Sequence, residues 1–200
     1  MSTNYTLERD LNELEAMVKP LDEYVRRDTL YGSVSGGFFS FNKMPALTVG
    51  AVMMRLRRLD ALHDDLNEAQ RQRLDIAKAR NTAVFDEWRT HYTGKMQREA
   101  ESRLDAMRTF FEECGSNPNL CPRIYMPEAS RRTIVQEILI TMNEVNIEPD
   151  EDLDKKIKGT DGRLRGFVKT SDFIWASQLE AAYPRNTFWW LYHQPVAPGK

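Results

Sequence analysis

Histidine and cysteine are scarce in this chain, three and two in 200 residues, so metal centres and nucleophilic triads have few residues to draw on. No Glu-x-x-His occurs, which removes the di-iron or di-manganese site that a helical bundle otherwise invites. Cys114 and Cys121, separated by a Gly-Ser-Asn-Pro-Asn-Leu turn, fall short of the four ligands of a structural zinc site. We read them as free, half-buried thiols.

Charge of one sign is missing too. Twenty-eight Lys and Arg against thirty Asp and Glu leave a formal charge of −2, so no global basic field draws the chain to nucleic acid or anionic lipid. No run approaches the roughly 18 apolar residues of a membrane span, and the first ten residues lack the basic start and apolar centre of a leader peptide. The expected setting is the cytoplasm, with no membrane partner. Repeats of 20 to 50 residues are absent. Most consequential, no proline interrupts residues 67–114.

What is present is helical spacing. Across 67–114 the apolar seam reads Leu74, Ala77, Asn81, Val84, Trp88, Tyr92, Met96, Ala100, Leu104, Met107, Phe111 and Cys114, which predicts one unbroken helix about 70 Å long. Its heptad steps lengthen midway, rotating the stripe, and Asn81 is a polar residue on the seam that should fix register or meet a second polar group. Asn67 suits the N-cap. Thr48 can cap a preceding helix that ends near 65–66 and folds back on the long one as an antiparallel hairpin. Leu7, Leu11, Leu14, Val18, Leu21 and Val25 mark a first helix over 6–28, kinked or divided at Pro20. After a turn over 115–126, Pro127 suits the first turn of a fourth helix stopping near Asn146, and a fifth, weakened by Gly159 and Gly162, reaches Phe167. Residues 31–46 form a long Gly- and Phe-rich loop.

Each candidate for chemistry has a plain structural counterpart. His63 lies one turn after Asp60 and His91 one turn after Glu87, yet such pairs are ordinary on helix surfaces and no nucleophile accompanies them. The segment Gly-Ser-Val-Ser-Gly-Gly at 32–37 fits neither a phosphate loop nor a nucleophile elbow. Arg55, Arg57 and Arg58, with Arg71 and Arg73, form the sharpest basic cluster, but acids interrupt it throughout. Three of the four tryptophans fall in the last thirty residues. They either complete the core or form an interface hot spot.

We therefore expect an all-α fold: a helical bundle domain over 1–166, built on a long antiparallel helical hairpin and containing the loop 31–46, with an irregular aromatic tail over 167–200 packed on it. The expected function is non-catalytic, that of an interaction or scaffold protein and accessory subunit of a larger protein assembly. Its interface candidates are Trp175, Trp189, Trp190, Tyr192, Phe38 and Phe39. Another protein or a second copy of the chain is the expected partner, a homodimer because the long helix outruns its intramolecular cover. Neither cofactor nor metal is expected. One alternative is a nucleic-acid-associated accessory protein using Arg55, Arg57, Arg58, Arg71 and Arg73 within the basic region 55–80. Another is an enzyme or small-ligand binder with a pocket between the 31–46 loop and the tail.

Overall fold

A computed structural model describes residues 5–34 and 44–195, and the fold is all-α with one short two-stranded ribbon. The chain forms two compact units, one over residues 3–99 and the other built from residue 100 onward. The boundary falls inside a helix.

In the first unit, Thr6 accepts from the Arg9 amide and starts α1 (Leu7–Val18), and Pro20 separates it from α2 (Leu21–Arg26). Leu11, Leu14, Met17 and Leu21 are fully buried, each contributing about 1.5–3 kcal/mol. Thr48 caps α3 (Val49–Ala61), which stops before 65–66 because a 3-10 turn, His63–Asp65, takes over. Asn67 and Gln70 then bond each other's amides in a capping box that opens α4 (Glu68–Glu87). Both α3 and α4 pack chiefly on α1.

The unbroken helix expected over 67–114 is interrupted at one residue. Trp88 leaves helical geometry (φ −117°, ψ 35°) and divides α4 from α5 (Arg89–Ser116). No proline is responsible. The Trp88 indole donates to Asp22 Oδ1 at 2.7 Å and lies under the Arg26 guanidinium, while Tyr92 Oη donates to Asn81 Oδ1 at 2.8 Å. These tethers hold the chain at the joint, and the main-chain bonds from Trp88 to Val84 and from Tyr92 to Trp88 survive on either side.

The second unit takes the end of α5, then α6 (Cys121–Glu144), α7 (Glu151–Phe167), β1 (Val168–Thr170) and β2 (His193–Pro195). Pro122, not Pro127, occupies the first turn of α6, and Pro127 lies inside the helix. The earlier start follows a 3-10 turn, Pro118–Leu120, capped by Asn117. Cys114 and Cys121 join α5 to α6 as a disulfide, with Cα atoms 5.2 Å apart, so the expectation of free thiols is corrected, and both are buried rather than half-buried. Asn146 takes φ 56°, and Ile147 N donates back to Met142 O, which closes α6 where the sequence placed its end. The tail holds more order than expected: 3-10 turns at Ser177–Ala182 and Trp189–Tyr192, and β2 pairing antiparallel with β1. No helix among the described residues is long and apolar enough to cross a membrane.

Candidate functional site

The tail is organised around a line of aromatic rings meeting edge to face: Trp175, Tyr183, Phe188 and Trp190, with centroids 5.1, 4.9 and 5.7 Å apart in turn. Trp190 ends the line in the core, 1% exposed, where its N–H donates to Thr133 Oγ1 at 2.9 Å and its carbonyl accepts from Tyr125 Oη at 2.7 Å. The Arg132 guanidinium covers its face at 4.1 Å while gripping both oxygens of Asp161. Tyr192 is buried too and donates to Tyr183 O. As interface candidates Trp190 and Tyr192 are therefore corrected to core, because each has its polar atom satisfied inside the fold.

Trp189 faces the other way. It is half-buried, with Arg165 from the last turn of α7 stacked 4.0 Å from its ring centroid and the His193 ring against its edge at 5.2 Å. His193 Nδ1 donates to the Trp189 carbonyl at 2.7 Å, so imidazole and indole hold each other in place. Trp175 is likewise half-buried, beside Phe173. Phe173 lines two clefts of about 380 and 330 Å³, one with Tyr125 and Met126 and one with Arg185 and Tyr192. Phe38 and Phe39 lie outside the described residues, as does most of the 31–46 loop. Its ends are fixed by paired bonds between Gly32 and Leu47, where a Cβ on Gly32 would come within 2.9 Å of the Tyr24 ring.

Four of the five basic candidates are engaged inside the first unit. Arg55 is buried, donating to Glu13 Oε2 and to Ala51 O, with Asp10 at 3.7 Å; Arg58 also faces Asp10 at 3.7 Å. Arg73 reaches Glu8, Asn12 and Glu15, tying α4 to α1. Arg71 donates to the His63 carbonyl, and Arg57 is half-buried. Nor does Asp60 orient His63, since it binds Lys78 at 2.8 Å while the neighbour of His63 is Asp64 at 3.7 Å. Among the described residues no three His, Cys, Asp or Glu side chains are grouped to hold a metal.

Several residues that organise these surfaces escaped sequence reasoning. Arg132 stands beside the apolar run of α6, and Lys95 and Glu99 occupy the same stripe as Tyr92, Met96 and Ala100. The available signal was a charge at i+3 and i+7 on an apolar face, which declares a buried ion seeking partners. Glu99 finds the Gly50 amide at 2.8 Å, in the first turn of α3, which has no acid of its own.

The class these features define is an all-α protein of two compact helical units, one of which bears a cation-stacked tryptophan at its surface. No family model matches the chain, and neither a curated protein nor a solved structure resembles it at a significant level.

Proposed function

We propose that the protein is a non-catalytic interaction protein, an accessory subunit of a larger protein assembly, and that Trp189 is the centre of its docking surface. The observation that carries this reading is the half-exposed indole held between Arg165 and His193. A tryptophan already fixed in one orientation loses little side-chain freedom on binding, and tryptophan and arginine are the residues most enriched in hot spots. Trp175 extends the same type of surface. The nucleic-acid alternative has less support, because Arg55, Arg58 and Arg73 are engaged by carboxylates.

The test is affinity enrichment from the native cell with the full chain and with Trp189→Ala, combined with mass measurement in solution. A partner protein or second copy should be held by the natural chain and weakened about thirtyfold or more by the substitution. Recovery of the bare chain alone, with a monomer mass at every concentration, would refute the reading. The cytoplasm is part of the proposal. Disulfides persist mainly in oxidising compartments, so the Cys114–Cys121 bond weighs against this part of the proposal, and cell fractionation tests it: recovery in the cytosolic fraction supports the cytoplasm, and recovery from an oxidising compartment refutes it.

A further inference from the structure

We propose that a concavity of the first unit, between the end of α2 and α5, binds a small phosphate monoester. The hollow measures about 250 Å³ and is lined by residues 25–28 on one side and by His91, Gly94, Lys95 and Arg98 on the other. Positions 91, 94, 95 and 98 follow the i, i+3, i+4, i+7 spacing of a single helix face, so α5 presents them together. Its volume is below the about 300–1,000 Å³ of drug-sized sites, which restricts the occupant to a small body.

Charge specifies what that body carries. Arg26, Arg27, Lys95 and Arg98 line the hollow against a single carboxylate, Asp28. Lys95 is the decisive member. It is 3% exposed, and its ammonium is held by the carbonyls of Arg27 and Thr29 and by the face of Tyr24, 4.5 Å from the ring centroid. These partners are dipoles and a ring quadrupole. None is an anion, and a buried ammonium so placed bears a desolvation cost that a negative ligand beside it would relieve. Burial, and then the charge of Arg98, push the Lys95 pKa down against the weaker opposing charge of Asp28. Among the described residues, partners use two of its three N–H donors.

The arginines can be recruited without large loss. Arg27 is engaged with Glu23 in an exposed pair one helical turn apart, a weak type of contact, while Arg26 pairs with Asp22 and lies over Trp88, so it adds its charge from where it stands. Arg98 holds Asp28 Oδ1 at 2.7 Å and the Asp28 carbonyl at 3.2 Å, and its fork retains further donors. The Asp28 side chain is 95% exposed, so water screens its repulsion of an incoming anion. Gly94 leaves the floor open, because a Cβ there would meet nothing within 4 Å. A phosphate head group therefore meets one ammonium that no carboxylate pairs and, beside it, exposed ion pairs whose planar guanidinium forks suit its oxygens.

The experiment is titration of the full chain at low ionic strength with inorganic phosphate and with glycerol 3-phosphate, followed by NMR, alongside flotation with phosphatidate vesicles. Saturable binding is expected, and Arg98→Gln should weaken it about tenfold. Gly94→Glu, whose Cβ enters open space, should abolish binding without lowering helix content or melting temperature. Gly94→Ala should keep it. Binding of the soluble esters assigns the site to free phosphate monoesters, and binding confined to vesicles assigns it to a lipid head group. The proposal is overturned if no probe saturates, or if Gly94→Glu binds as the natural chain does. Trp189→Ala should not alter phosphate binding, which keeps this site separable from the docking surface.

Discussion

Trp190 shows how much a single side chain can organise. Its ring is packed by Phe188 and covered by Arg132 and its N–H is satisfied by Thr133, so removing the side chain opens a void and takes away that donor, while the bond from Tyr125 to its main-chain carbonyl stays. Trp190→Ala should cost about 3–5 kcal/mol in denaturant unfolding. Trp190→Phe, which keeps a ring but loses the donor, should cost about 1–2 kcal/mol. Equal losses in the two variants would contradict the packing part of this account, and no loss in Trp190→Phe would contradict the hydrogen-bond part. The two preceding members of the line, Tyr183 and Phe188, are also buried, yet Trp189, next to Trp190 in sequence, reaches solvent. Nothing in the run Phe-Trp-Trp-Leu-Tyr-His distinguishes the two tryptophans, because a 3-10 turn sends neighbours to opposite sides only once its ends are anchored.

Between elements, the joint of α1 with α3 depends on a buried ion cluster. Burial pushes the Glu13 carboxyl up, but the charge and hydrogen bonds of Arg55, helped by Arg9, hold it below the ordinary value of 4.5. A carboxyl lowered in the folded state contributes stability above its unfolded pKa and loses it as pH falls through the folded one. Asp10 has the opposite sign: burial raises it more than Arg58 and Arg55 lower it, so its contribution is present at low pH and fades as pH rises through its raised value. Glu13→Gln should therefore cost about 3 kcal/mol near neutrality and progressively less as pH falls through the lowered Glu13 value. Unfolding curves across pH check this, and a cost that stays constant into acid would count against the pair. The sequence offered the heptad positions of Leu11 and Leu14 but no sign that Glu13 and Arg55, 42 residues apart, would meet.

At the scale of the whole molecule, each compact unit has its own core. Leu11, Leu14, Leu59, Leu74 and Tyr92 are buried in the first, and Met107, Tyr125, Ile138, Leu164 and Trp190 in the second. Amide exchange resolved along the chain should show Glu13→Gln lowering protection mainly within residues 3–99 and Trp190→Ala mainly from residue 100 onward. Uniform loss along the chain in both variants would mean that one cooperative transition governs the molecule.

Periodicity and capping chemistry are local, so the helical class, the stop at Pro20, the starts at Thr48 and Asn67 and the end near Asn146 were legible from residues alone. So was the polar partner sought by Asn81, though not that it would be Tyr92. The interruption at Trp88, the division within α5, the Cys114–Cys121 bond and the opposite fates of Trp189 and Trp190 depend on contacts between groups distant in sequence or turned by their anchors. A spacing pattern reports which side of a helix avoids water. It carries no record of which neighbour covers that side, and that assignment made Lys95 a buried cation beside an open hollow.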